Sequence, residues 1–287
     1  MPELPEIESL RRALEPSLVG ASVHAAHLFR ADMMHRAAGA PARPLAVGDS
    51  IRALHRRGKQ LVIESASGPC LLVHLGMSGS LRLLRQAGDP ETHVHARWDL
   101  RSGRDAFSLR HRDPRRFGWL ESHASLESVH ARAWSTLGPD ALSVEATELA
   151  RAIDSSRRPI KALLLDQARI AGLGNIYVDE VLFRQRVHPL MPARKVPDVA
   201  ELAHEIRSVL RQAVELGGST IRDHRTAEGR WGSFQERHGV YGRAGLPCLR
   251  CGTVLRSIQV SQRTTVFCPR CQSRKAGRGG RLLENRS

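Results

Sequence analysis

Aromatic residues are scarce, at 4% of this 287-residue chain. Its cores must therefore be mainly aliphatic, which a hydrophobic content of 41% allows. No run of 18 or more apolar residues occurs, so no membrane-spanning helix is predicted. Cysteine is limited to five residues. The opening MPELPEIESLRR has no apolar stretch of the kind a secretory signal carries. A cytoplasmic location is expected, and a disulfide-stapled scaffold is not. Lysine is the rarest charge, at four positions: Lys59, Lys161, Lys195 and Lys275. Arginine supplies the rest of the 44 cations, and its planar fork suits paired hydrogen bonds to phosphate. A lysine in such a background marks a place where a compact or titratable amine is wanted. Acid is short as well. The net charge is +15 and the pI about 11.0. From Gly217 to Ser287 there are 14 basic residues against 4 acidic ones. Such an excess predicts a polyanionic partner, with nucleic acid the first candidate.

The length suits two domains. Residues 3–15 carry Leu4, Ile7, Leu10 and Leu14 at helical spacing, with acids in the first turns, and Pro16 and Gly20 are expected to end the helix. From Ala21 to about Leu120, short apolar runs such as 60–65, 70–75, 80–84 and 97–100 alternate with glycine-containing breaks. That pattern predicts a β-sandwich or barrel. Beyond residue 125 the pattern turns helical. The clearest helix covers Val199–Leu216, with apolar Val199, Leu202, Ile206, Leu210 and Val214. Asp198 and Glu201 form its start and Gly217 its stop. Two more helices flank the turn at 171–175. Residues 218–245 read as a long polar loop. The fold class is thus α+β. A sandwich domain over 1–125 is flanked by helices, a helical domain covers 126–240, a cysteine-bearing module 241–271, and a basic, disordered tail 272–287.

Cys248-x2-Cys251 and Cys268-x2-Cys271 have the spacing of a closed four-cysteine zinc site. Alternation over 253–258 and 263–267 predicts a β-hairpin between the pairs. Two disulfides are the other reading, though nothing suggests export. Cys70 lies in an apolar run and reads as a core thiol. At the other end, Pro2 follows the initiator Met. Removal of Met1 would free a secondary amine with an ordinary pKa of about 7.7–8.0. Such an amine, on attacking a sugar C1′, gives a cationic iminium that favours elimination of the 3′-phosphate. Glu3 beside it is a candidate acid or base. A proline at position 2 is by itself uninformative.

MPELPEIESLRRALEPSLVG resembles the opening of formamidopyrimidine-DNA glycosylases. Further landmarks follow in that family's order: HRRGKQLVI, LLVHLGMSGSLRL, RHRDPRRFGWL, GLGNIYVDEVLF, GGSTIRDH, VYGRAGLPCLRCG and QRTTVFCPRC. Together they span residues 1–271. The resemblance implies a β-sandwich, a helix–two-turn–helix element and a zinc-bound hairpin. It implies excision of oxidised purines such as 8-oxoguanine by a bifunctional glycosylase and β,δ-lyase, acting as a monomer on double-stranded DNA with oxidised bases or abasic sites. One structural Zn2+ is implied on Cys248, Cys251, Cys268 and Cys271. Pro2 would be the nucleophile, Glu3 the general acid/base, Lys59 the catalytic-loop lysine and Arg263 the phosphate-gripping arginine. DNA contacts are implied for Glu6, His74, Met77, Arg115, Phe117, Lys161, Asn175 and Tyr177. Of these, Met77, Arg115 and Phe117 would refill the stack vacated by a flipped nucleotide. At Asn175, helix N–H groups would face a phosphate.

Plainer readings stand beside these. Lys59 after Gly58 fits a solvated turn, and Met77 and Phe117 taken singly fit a core. The middle of the loop, RTAEGRWGSFQERHG, departs from the family's commoner form. Its Trp231 and Phe234 look exposed and would either stack on a base or pin the loop. Gln60 stands where an aromatic is common, and KALLLDQ replaces a PWLMDN-like run. The PELPE opening favours the formamidopyrimidine branch over the endonuclease VIII branch, which attacks oxidised pyrimidines. A non-catalytic damaged-DNA-binding protein is the remaining alternative.

Overall fold

Leu4–Leu18 form helix α1, with Glu3 as its cap and the N–H of Glu3 bonded to Glu6 Oε2 at 2.7 Å. The structure, a computed structural model, describes residues 2–85, 91–154, 156–219 and 232–273. Met1, the middle of the polar loop with Trp231, and the tail from residue 274 lie outside them. Pro16 does not end α1. Its ring sits in the last turn, where a missing N–H removes one helical bond. The Val19 N–H still reaches Glu15 O at 3.1 Å, and Gly20, at φ +82°, makes the stop.

Two sheets follow. One contains β1 (Ser22–Leu28), β7 (Val94–Ser102), β8 (Asp105–Arg112) and β6 (Ser80–Leu84), in that spatial order. The other contains β2 (Met34–Arg36), β9 (Trp119–His123), β5 (Cys70–His74), β4 (Gln60–Ser65) and β3 (Ile51–Arg57). All pairs are antiparallel except β2 with β9. Alternation decides what each strand buries. Leu61, Ile63, Leu71 and Val73 face a core shared with Leu81, Trp98, Leu100 and Leu109 of the other sheet. The opposite positions Val62, Cys70 and Leu72 pack under Val129 and Trp134, next to helix α2 (Leu126–Arg132). Burial on both faces explains why β4 and β5 read as continuous apolar runs. Cys70 is a core thiol, pushed up to about 12 by burial.

The helical part contains α3 (Ala146–Ile153), α4 (Ile160–Leu164), α5 (Asn175–Arg184) and α6 (Val199–Glu215). Asp198 caps α6 by accepting the Glu201 N–H at 2.8 Å. β10 (Arg256–Val260) and β11 (Arg263–Phe267) make the C-terminal hairpin. Its first strand starts three residues later than the alternation suggested. Ser261 and Gln262, both at positive φ, form its two-residue turn. Among the described residues no helix is long and apolar enough to cross a membrane.

Helix α1 belongs to both halves. Leu4 packs in the helical core, whereas Ile7, Leu10, Leu14 and Leu18 pack in the sandwich. Arg56 ties the same halves together. Its Nε donates to Glu8 at 2.9 Å and its Nη atoms to both Asp140 oxygens at 2.7 and 3.1 Å. Burial would raise Glu8, but hydrogen bonds from Arg11, Arg12 and Arg56 prevail and hold it at about 2. A depressed carboxylate stabilises the fold above its unfolded pKa of about 4.5 and loses that contribution as pH falls towards 2. Arg56→Met takes charged hydrogen bonds from buried Glu8, which keeps Arg11 and Arg12, and from half-buried Asp140, and a cost of about 1.5–3 kcal/mol is expected. Urea unfolding of this variant should show that loss, with a shallower decline in stability between pH 4.5 and 2.

Candidate active site

The site forms where the start of α1 meets the start of α5. Pro2 is buried at the end of α1. Glu3, 2% exposed, sends its carboxylate across to α5, where Oε1 accepts the Ile176 N–H at 3.0 Å and Oε2 the Tyr177 N–H at 3.5 Å. Two glycines in GLGN make room. A Cβ on Gly174 would fall 2.2 Å from the Glu3 carboxyl carbon, and one on Gly172 2.3 Å from Leu4 Cδ1. The Ile176 and Tyr177 N–H groups in the first turn of α5 are therefore taken by Glu3, an anion from within the chain that the sequence reading did not foresee. Asn175 turns its Nδ2 to Thr264 O of the hairpin at 2.9 Å.

Behind Glu3 lies a buried polar chain. Glu6 Oε1 accepts the Ser219 N–H at 2.7 Å and the Tyr177 hydroxyl. Ser219 Oγ then meets His238 Nε2 at 3.0 Å. Burial first, and then the charge of Glu3, raise Glu6 to about 7. Burial and Glu6 push the Tyr177 hydroxyl well above its ordinary value. Two expectations change here. Neither Glu6 nor Tyr177 is the open surface contact expected: at 2% and 0% exposure, their polar atoms bond to Ser219, to Glu3 and to each other.

Lys161 requires the same correction. It is fully buried, with its Nζ on Asp179 Oδ1 at 2.6 Å, and cannot reach a surface phosphate. Burial lowers Lys161 and raises Asp179 to about 7, so each charge depends on the other. The second Asp179 oxygen accepts the Val266 N–H of β11 at 3.1 Å. Phe234, taken from sequence as exposed, is also buried and packs on Tyr177 with ring centroids 5.5 Å apart.

Lys59 occupies the turn between β3 and β4, next to Gly58 at φ +56°. The Gly58 N–H donates to Asp140 at 2.8 Å, and a Cβ there would lie 3.1 Å from Ala171 Cβ. The turn is thus docked on the helical half and is not freely solvated. Burial lowers the Lys59 pKa, the Glu3 charge raises it, and the Arg263 charge lowers it again. Lys59, Glu3 and Arg263 therefore share one electrostatic environment. Arg263 is exposed at the first position of β11. His74, at the end of β5, stacks on Trp119 at 5.3 Å; burial and then Lys59 lower its pKa.

Met77 and Phe117 are 46% and 51% exposed, so neither is a core residue. The Arg115 guanidinium lies 4.6 Å above the Phe117 ring. All three emerge from two adjoining turns. The acids and backbone partners that hold these pieces, Asp113, Asp140, Asp179 and Ser219, were not singled out from the sequence. Places inside DPRRFG, NIYVDE and GGST hinted at Asp113, Asp179 and Ser219, whereas Asp140 lies in none of these motifs.

At the hairpin, the four cysteine sulfurs lie within 4.8 Å of one another, with Cys251 and Cys268 3.5 Å apart. Tetrahedral Zn–S bonds of about 2.3 Å require separations near this. The Arg250 and Cys271 N–H groups donate to Cys248 and Cys268 sulfur at 3.4 and 3.3 Å, as thiolate ligands favour. The cluster is suited to one zinc ion.

Residues 1–120 match the formamidopyrimidine-DNA glycosylase N-terminal domain, residues 137–225 the H2TH domain of the same enzymes, and residues 245–274 a zinc finger found in FPG and IleRS. The chain belongs to the formamidopyrimidine-DNA glycosylase family. Formamidopyrimidine-DNA glycosylase of Thermomicrobium roseum is 43% identical over 292 positions, covering 95% of this chain and 99% of that one. The Aromatoleum aromaticum protein of the same name is 40% identical, with 96% and 100% covered. Among solved structures, the Lactococcus lactis Fpg bound to DNA with an abasic site superposes with a TM-score of 0.84 at 32% identity, covering 95% and 100%. The MutM (Fpg) protein of Thermus thermophilus gives 0.81 at 40% identity, covering 94% and 98%.

The raised Glu6 makes the folded formamidopyrimidine-DNA glycosylase family member bind a proton more tightly than the unfolded chain. Its contribution to stability is full below about 4.5 and is lost as pH rises through about 7. Glu6→Gln removes that titration, and its melting temperature should change less than that of the parent between pH 4.5 and 7.5. Zinc analysis should find one ion per chain, and Cys268→Ser should lose it.

Proposed function

We propose that this chain is a bifunctional DNA glycosylase and AP lyase of base excision repair, acting on oxidised purines in double-stranded DNA. The observation that carries the reading is Glu3, fixed by two N–H groups of α5 next to Pro2. After removal of Met1, the Pro2 nitrogen attacks C1′ of the damaged nucleotide. The glycosidic bond breaks and the base leaves with the bonding electrons, taking up a proton. The nitrogen gives up its N–H proton, and its lone pair then opens the sugar to an iminium at C1′ as O4′ takes up a proton. Loss of a C2′ proton expels the 3′-phosphate, and a second elimination expels the 5′-phosphate. Glu3 and Lys59 are the groups placed to move protons and to balance charge at this centre. Burial favours the neutral Lys59 amine, and Glu3 favours its ammonium form. Such opposed influences suit a group that must both hold and release a proton.

Met77, Arg115 and Phe117 enter the stack where the damaged nucleotide leaves it, while Arg263 grips the adjacent phosphate. The basic surface supplies the non-specific part of the affinity. Within the first turn of α1, the Glu6–Ser219 bond anchors the start of the loop in which the base would be held. Related structures include MutM with carbocyclic 8-oxo-G DNA and Lactococcus lactis Fpg with a Fapy-dG derivative, which support the purine reading. The same Lactococcus protein also binds DNA with an oxidised pyrimidine, which keeps the pyrimidine reading as the second.

Borohydride added during reaction with an 8-oxoguanine duplex should trap a covalent adduct at Pro2, located by mass spectrometry. Pro2→Gly should lower trapping and strand cleavage by at least about a hundredfold. Full cleavage by that variant, or by an N-terminally tagged form, would refute the mechanism. Faster cleavage of a 5-hydroxyuracil duplex than of 8-oxoguanine paired with cytosine would establish the pyrimidine reading instead.

A further inference from the structure

The turns 74–79 and 113–118 are joined as one body. At Gly76, φ +60°, a Cβ would lie 2.4 Å from the Phe117 carbonyl carbon. At Gly118 it would lie 2.7 Å from His74 O. Backbone therefore rests directly on backbone. Asp113, fully buried, provides the polar link between the two. Its Oδ1 accepts the Ser78 hydroxyl at 2.5 Å and the Arg115 N–H at 3.2 Å, and its Oδ2 accepts the Gly118 N–H at 2.7 Å. Ser78 Oγ in turn accepts the Arg115 N–H at 3.3 Å. The Asp113 main chain is held as well. Its N–H donates to His93 O at 3.0 Å, and its carbonyl oxygen pairs with His95 Nε2 at 2.7 Å. Met77, Arg115 and Phe117 are among the side chains that this body exposes.

We propose that Asp113 is a positioning residue for lesion extrusion: it locks the Met77 turn to the Arg115–Phe117 turn so that the three side chains enter the duplex as one preformed wedge. The inference rests on the reading above that these side chains refill the stack. A preformed wedge spends less of its interaction energy on ordering loops when DNA binds. A carboxylate suits the position because donors approach both of its oxygens. Asparagine offers one acceptor oxygen and must turn its amide towards a donor N–H.

The test compares two substrates. A duplex with 8-oxoguanine paired with cytosine requires the wedge, whereas a single strand with an abasic site has no stack to penetrate. Asp113→Asn should slow single-turnover excision from the duplex by 10- to 100-fold and leave single-strand cleavage within about twofold. Ser78→Ala, which removes one bond and keeps the carboxylate, should slow the duplex reaction in the same sense by a smaller factor. In a Met77→Ala, Arg115→Ala, Phe117→Ala background, Asp113→Asn should cost no further duplex activity. Equal slowing on both substrates, or an undiminished effect in that background, overturns the inference and leaves the glycosylase reading intact. If the unaltered protein cleaves neither substrate, the glycosylase reading fails and the inference fails with it.

Discussion

The whole site depends on one carboxylate shared by two helix starts. Glu3 caps α1, the helix that carries Pro2 at its end, and it also takes the N–H groups of Ile176 and Tyr177 at the start of α5. Helix N-termini present unpaired donors and the positive end of the helix dipole. Two such ends converging on one buried anion leave it little freedom. Because Leu4 lies in the helical core and Ile7 in the sandwich core, the same short segment fixes how the two halves meet. Glycines at 172 and 174 are the other half of this constraint, since any side chain at 174 would overlap the carboxylate.

The device recurs across the molecule. Glu6 takes the N–H of Ser219, Asp140 that of Gly58, Asp179 that of Val266, and Glu180 those of Gly239, Val240 and Tyr241. In each case a carboxylate on one element accepts from a turn or strand edge far along the chain. Turns present N–H groups that regular structure leaves unpaired, and burying them requires an acceptor. A carboxylate offers several lone pairs, so it can tie two segments at once. Desolvation opposes this, as the values near 7 for Glu6 and Asp179 record. The arrangement favours defined position over maximal stability.

This also explains which features the sequence revealed. Strands β4 and β5, helix α6 and the two Cys-x2-Cys pairs have local patterns, and local patterns are readable in a single chain. The interior of the site is not local. Lys161 could be recognised as a rare lysine, but its burial depends on Asp179, 18 residues on. The start of α5 could be recognised as an anion site, but its anion lies 173 residues earlier. Phe234 looked exposed because its sequence neighbours are polar, whereas the face that matters is the ring of Tyr177. Pro16 looked like a stop because its ring usually is one, yet in a last turn it removes only a bond that the helix can lose. The family landmarks were informative because they encode those distant pairings indirectly.

The four-cysteine hairpin shows how a structural module can fix positions far from itself. Arg263 acts on Lys59 through its charge, so its effect depends on where the tip of β11 is held. That tip is fixed to α5 at two points, Asn175 Nδ2 on Thr264 O and Asp179 on the Val266 N–H. Below it, the cysteine cluster closes a hairpin that on its own would be a marginal two-stranded ribbon. Asp179 in turn holds Lys161 and so joins α4 to the same assembly. Displacing the hairpin would move Arg263 and break the Asp179–Val266 bond together. The Arg263 charge, one of those that lower the Lys59 pKa, therefore has its position set from the cysteine end of the chain, without a bond between the two.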